Sequence, residues 1–205
     1  MRPGRLAVVD YGAGNLRSVQ NALAHLGVSH EVTSDPGTIR RADTVVFPGV
    51  GEASSAMSVL ARTGLADAIR EAWAAGRRLV GICLGCQLIL ERSEEGGAPC
   101  LGLLPGAARR FEPAPGLKVP HMGWNTVRFR DHPALRGIPP ESSFYFVHSY
   151  YPVPADDRMV AGTTVHGVEF ASCLASGNLV AFQFHPEKSG PVGLALLGAA
   201  LTWDA

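Results

Sequence analysis

The chain has 205 residues, 46% of them hydrophobic and 18% charged, with 18 acidic against 18 basic side chains and so no net charge. This balance excludes a disordered chain and supports one globular domain over residues 1–205 with a sizeable core, and it gives no electrostatic reason to expect nucleic acid or an anionic membrane as partner. No run approaches the ~20 apolar residues of a membrane-spanning helix, and the five-residue apolar strand that follows Arg5 is too short for a signal-peptide core; the expectation is a cytoplasmic protein whose four cysteines stay reduced.

In chain order, Leu6–Asp10 predicts an apolar strand. The stretch 15–26 predicts a helix with Val19, Ala22, Leu23 and Leu26 on one face, ended by Gly27. Residues 30–33 predict a short strand, Asp35-Pro36 opens a helical turn towards Arg41, and Thr44–Phe47 is a β-branched strand that should stop at Pro48. Helices follow near 54–60 and 65–75, then the strand Arg78–Ile82 and a helix over 87–92. This alternation implies right-handed crossovers and a parallel sheet covered on both faces. From Gly102 to Gly177 short strands and Gly/Pro turns replace helices, with 124–129, 144–147, 160–165 and 168–174 as antiparallel candidates and 109–120 as an irregular stretch. Ser176-Gly177-Asn178 should turn the chain into the strand 179–184, and a helix from Pro191 to Trp203 closes it. The predicted architecture is a three-layer α/β/α sandwich with a mixed, mainly parallel central sheet and an antiparallel extension in the second half.

Gly81-Ile82-Cys83-Leu84-Gly85 puts one cysteine between the predicted strand and a helix. Gly-x-Cys-x-Gly is the thiol form of the Gly-x-Ser-x-Gly nucleophile elbow, where small flanking residues admit a crowded, strained turn. A helix N-terminus beneath a sulfur favours the anionic form of a thiol. A buried structural cysteine between two glycines is the plainer alternative. Cys83 and Cys86 also form Cys-x-x-Cys, but without the flanking residues of a redox motif. The cysteines have no zinc-site spacing, so neither metal nor cofactor is expected.

Near the other end, the strand 179–184 runs directly into His185-Pro186-Glu187. A histidine at a strand end, held by Pro186, can stand beside the thiol while Glu187 orients its ring through the other nitrogen. Cys83, His185 and Glu187 then form a nucleophile–base–orienter triad. A His-Pro-Glu surface turn is common in isolation; its coincidence with the elbow favours catalysis.

Gly-Ile-Cys-Leu-Gly with a later Phe-His-Pro-Glu resembles the class I, triad-type glutamine amidotransferases. Five further stretches, 11–16, 48–51, 120–125, 145–150 and 183–189, resemble the glutamine amidotransferase subunits of imidazole glycerol phosphate synthases. One departure is Cys86, where that family has Met; both are soft apolar residues. The resemblance implies hydrolysis of glutamine to glutamate and ammonia, without a cofactor, through a thioester on Cys83. It implies an oxyanion hole from Leu84 and the Val50–Gly51 loop, and glutamine binding by Gly49, Gly51, Gln87, His148, Ser149 and Tyr150. For His148, a core histidine satisfied by the backbone is the stronger reading from sequence alone. The resemblance also implies a heterodimer with a cyclase subunit of (βα)₈-barrel fold, met through Asn15, Trp124, Tyr145 and Lys188. That cyclase takes up the ammonia and makes imidazole glycerol phosphate and an aminoimidazole carboxamide ribonucleotide in histidine biosynthesis. An amidotransferase serving another synthase, or a stand-alone cysteine hydrolase of the same fold, is the rival reading. His25, His30, His132 and His166 have no partners in motif spacing and are expected at the surface.

Overall fold

A computed structural model describes residues 4–12 and 16–203. β1 (Leu6–Val9) is buried at every position, and α1 (Leu16–His25) packs Val19, Ala22 and Leu23 into the same core as Leu6 and Val8. β2 (Glu31–Thr33) leads to α2 (Pro36–Arg41), which begins as its sequence dictates: Asp35 accepts from the N–H groups of Gly37 and Thr38, and Pro36 occupies the first turn. β3 (Thr44–Gly49), α3 (Ala53–Arg62), α4 (Leu65–Ala74), β4 (Arg78–Cys83) and α5 (Leu84–Leu88) continue the alternation. The strands β5 (Arg92–Ser93), β6 (Gly106–Arg110), β7 (His121–Phe129), β8 (Glu141–His148), β9 (Tyr150–Pro154), β10 (Val160–His166), β11 (Val168–Ser176) and β12 (Leu179–Phe182) follow, and α6 (Gly190–Thr202) ends the described chain.

The main sheet has nine strands in the order β2-β1-β3-β4-β12-β11-β10-β7-β8. β2, β1, β3, β4 and β12 run parallel to one another, and from β12 to β8 every pairing is antiparallel. Alternate strand residues feed opposite cores. Val9, Val45, Phe47, Leu79 and Ala181 join the residues of α3 and α4, while Val8, Val46, Val80, Ile82 and Phe182 join those of α1 and α6. A sheet between two helical layers is the three-layer sandwich that the alternation predicts.

Three local expectations change. Pro48 does not end β3, which runs to Gly49; Pro48 lies beyond the last β1 pairing, Val8 with Val46, where a missing N–H costs that ladder nothing. The helix expected over 87–92 stops at Leu88, because the carbonyls of Leu88, Ile89 and Leu90 accept hydrogen bonds from residues 101–104 instead of continuing a helical ladder. A small second sheet, β5-β6-β9, is the third. Its strand β9 carries Pro152 and Pro154 and stands at an edge, where proline is tolerated.

Candidate active site

Cys83 ends β4 and caps α5 with φ 55° and ψ −109°, the one non-glycine residue with positive φ among the described residues. A side chain held in such a conformation costs on the order of 1–3 kcal/mol, a strain the surrounding packing must hold in place. The two flanking glycines are explained by crowding. A Cβ on Gly85 would run into the carbonyl oxygen of Phe47, and one on Gly81 would stand 3.0 Å from Cβ of Ala181. The β3–β4 register pairs Gly49 with Cys83, so the Val50–Gly51 loop leaves its strand beside the sulfur. Gly51 has φ +98°, a conformation that side chains other than hydrogen resist.

His185 follows the end of β12 and is 2% exposed. Its backbone is clamped to β8: His185 N–H donates to the Tyr145 carbonyl (2.9 Å), Ser189 Oγ donates to the His185 carbonyl (2.6 Å), and Tyr145 N–H donates to Ser189 Oγ (3.0 Å). The ring Nδ1 lies 2.7 Å from Oε1 of Glu187, and both side chains are 3% exposed. Burial alone would push the imidazole down; interaction with Cys83, and then with Glu187, overrides it and raises His185 to about 10. The contact with Glu187 Oε1 fixes a proton on Nδ1 and leaves Nε2 as the ring atom free to exchange one. The Nε2 atom and Oε2 of Glu187 are buried without hydrogen-bond partners.

A cleft of about 410 Å³ opens over this pair, lined by Val50, Gly51, Cys83, Leu84, Gln87, Glu95, Pro120, Val147, His148, Ser149, Tyr150 and His185. The residues expected to handle glutamine thus meet on one cavity, with the exception of Gly49. That glycine packs behind it, so close to the Tyr11 hydroxyl that a Cβ there would collide with it. The hydroxyl is buried and unpartnered, and burial, then the nearness of Cys83, pushes the phenol up. Gln87 is buried, and its Nε2 donates to the Tyr150 carbonyl (2.9 Å) and to Oε1 of Gln183 (3.0 Å). Both its amide hydrogens are committed, so what it can offer a ligand is an acceptor oxygen. His148 borders the cleft, yet its Nδ1 donates to the Tyr150 carbonyl (2.7 Å) and its Nε2 meets His121 Nδ1 (2.9 Å).

Two residues at the cleft had no role in the sequence reading. Gln183 Nε2 lies 4.0 Å from Cys83 Sγ, in wholly buried surroundings. A glutamine inside the apolar run 179–184 was the available signal. Glu95 stands in the turn after β5, where burial pushes its carboxyl up; nothing local in the sequence marks it.

Of the expected partner-facing residues, Trp124 is 59% exposed, pairs with Tyr145 across β7 and β8, and meets its ring edge-on at 6.4 Å. Lys188 ends the single 3₁₀ turn Pro186–Lys188 that carries Glu187, and Asn15 lies outside the described residues. Trp124, Met122, Asn125, Lys118, Pro120 and His166 line a groove of about 1050 Å³ on the far side of Pro120. His166 is not the partnerless surface residue its context predicts. It stacks on His121 at 4.0 Å and bonds the Lys118 carbonyl at 2.8 Å, because β10 pairs antiparallel with β7 and brings its end beside the start of that strand.

Comparison with known proteins agrees with this architecture. The family model for class-I glutamine amidotransferases matches residues 7–197. The imidazole glycerol phosphate synthase subunit HisH of Moorella thermoacetica is 55% identical over 199 residues, spanning 96% of this chain and 93% of its own. The subunit of the same name from Nitrosococcus oceani is 52% identical over 204 residues, 97% of each chain. Among solved structures, a glutamine amidotransferase superposes with a TM-score of 0.75 at 20% identity over 96% of this chain and 99% of its own. PurLQS from Thermotoga maritima gives 0.74 at 21% identity over 98% of each; likenesses this distant speak for the fold alone. On the full-length match at half identity or better, the chain belongs to the class-I glutamine amidotransferases and, among them, to the HisH subunits of imidazole glycerol phosphate synthase.

Proposed function

We propose that the whole chain acts as one amidotransferase domain in which Cys83, His185 and Glu187 hydrolyse the side-chain amide of glutamine. The observation that carries this reading is the strained elbow of Cys83 in a cleft it shares with the buried His185–Glu187 pair, 2.7 Å apart. His185 takes the Cys83 thiol proton as the sulfur adds to the amide carbon, then gives that proton to the departing nitrogen, releasing ammonia and leaving a γ-glutamyl thioester. His185 then takes a proton from water as that water adds to the thioester, and returns it to the sulfur as the intermediate collapses, so that glutamate leaves and the thiol is restored. Glu187 keeps the ring oriented and stabilises its protonated form.

The oxyanion of each tetrahedral intermediate needs donors fixed in advance, and the Leu84 N–H, first in its helix and without an intrahelical acceptor, supplies one. The Val50–Gly51 loop supplies the second, its glycine permitting the peptide to turn; loss of one such donor costs about 10²–10³ in rate. Gln87 Oε1 and the Glu95 carboxylate receive the substrate's α-ammonium, and the backbone of Gly51, Ser149 and Tyr150 surrounds its carboxylate.

The partner is the cyclase subunit of the synthase, a (βα)₈ barrel that docks as a heterodimer over Trp124, Tyr145, Lys188 and Asn15 and takes up the ammonia. Four unpaired, buried cysteines suit a reducing cytoplasm, and no helix among the described residues is long and apolar enough to cross a membrane. The test is glutamate release with and without a cyclase subunit and its ribonucleotide substrate. Low turnover alone, rising by orders of magnitude with both and absent in Cys83→Ala, is the expected result; fast hydrolysis indifferent to the partner would refute the coupling.

A further inference from the structure

From the partner-facing groove an unbroken run of hydrogen bonds enters the cleft, and its polarity is fixed from one end. Asn125 sits half-buried on β7, next to Trp124. Its Oδ1 accepts from Thr126 N–H at 2.8 Å and its Nδ2 donates to the Val165 carbonyl at 3.0 Å, which settles the orientation of the amide. The second hydrogen of Nδ2 points the remaining contact, 3.1 Å to His121 Nε2. That nitrogen must accept, so His121 carries its proton on Nδ1 and donates it to His148 Nε2, 2.9 Å away. His148 then carries its proton on Nδ1 and donates to the Tyr150 carbonyl at 2.7 Å. The same carbonyl receives Gln87 Nε2. The rings are locked laterally: His121 stacks between Phe146 at 4.6 Å and His166 at 4.0 Å, and His148 packs on Phe111 and Phe170 at 5.4 Å.

We infer that Asn125 is a positioning residue for glutamine binding: through the tautomers of His121 and His148 it holds the Tyr150 carbonyl and, through that carbonyl, Gln87. This rests on the reading of the cleft as the glutamine site. Direction matters more than presence here. An alanine removes a donor and leaves both tautomers permitted, whereas a carboxylate of the same shape demands a proton from His121 Nε2 and so opposes the donation that His148 needs. A residue that merely filled space would tolerate the isosteric aspartate better than alanine.

Nitrogen-15 NMR of the full chain at pH 7.5 tests the tautomers directly. Both rings are expected to be neutral with the proton on Nδ1; an Nε2–H tautomer at either position overturns the inference without any variant. In complex with a saturating cyclase subunit, Asn125→Asp is expected to raise KM for glutamine roughly tenfold and Asn125→Ala about threefold, with kcat within about twofold. Equal KM values for wild type and Asn125→Asp, a larger loss with alanine, or an effect confined to cyclase affinity each refute it. If the wild-type complex hydrolyses no glutamine, the proposed function fails instead, and the NMR result still judges the relay.

Discussion

The two halves of the main sheet hold their functional groups by opposite means. In the parallel half the proposed nucleophile is placed by backbone: β4 ends in a strained Cys83, and Gly81 and Gly85 let Ala181 and Phe47 press in on both sides. In the antiparallel half one wall of the cleft is placed by side chains, a file of Asn125, His121 and His148 running inward among aromatic rings. A backbone device has one geometry and no titration. A hydrogen-bonded file has a polarity, and it is intact only while its histidines are neutral.

The largest effect should come from the parallel half. Cys83→Ala should remove glutamine hydrolysis by at least about 10⁴-fold while leaving the fold intact, read as glutamate release beside circular dichroism. Next comes the orienting carboxylate: Glu187→Gln should lower turnover by about 10²–10³. The same variant carries a pH signature. His185 is raised to about 10 in the folded chain, so its contribution to stability is complete below pH ~6.5 and disappears as pH climbs through 10. The stability gap between wild type and Glu187→Gln, measured by urea unfolding, should therefore be widest near pH 6 and close by pH 10.5.

Gly85→Ala probes the backbone device alone. With the Phe47 carbonyl in the way, it should destabilise by about 2–3 kcal/mol in urea and lower activity through a displaced elbow. A neutral result would mean that the turn is less constrained than its packing implies. The smallest effect belongs to the antiparallel half and has the reverse pH sense. Burial lowers His148 to about 3 and, with His166 adding to the effect, His121 to about 4. The unfolded chain binds protons near pH 6.5 and the folded chain only well below, so stability falls as pH drops from 6.5. At pH 5 the wild type should lose on the order of 2 kcal/mol per fully buried ring relative to pH 7, and His148→Gln should flatten that slope.

How much of this was legible in the sequence also divides along the sheet. In the parallel half, uninterrupted aliphatic runs and helix-ending glycines mark elements whose burial is nearly total, and the elbow advertises itself because strain requires small neighbours. Pro48 misled there, since a sequence cannot tell which side of a strand lacks a partner. In the antiparallel half the signals are mixed. β9 carries two prolines and pairs only as an edge strand of the small sheet. The partners of His166 lie 45 and 48 positions away in sequence, at His121 and Lys118. Glu95 reaches the cleft only because the small sheet folds its loop beneath α3, where its Oε2 accepts from Ala53 N–H. Such groups are brought together by topology, and no local pattern records them.

Pro120 lines both the cleft over Cys83 and the groove beside Trp124. Pro120 is thus a wall common to the proposed substrate chamber and the proposed docking groove. For inhibitor design this marks a second space adjoining the proposed glutamine pocket. A cleft-bound compound extended past Pro120 would enter the groove where the cyclase is proposed to dock, and on that reading it would block assembly as well as turnover.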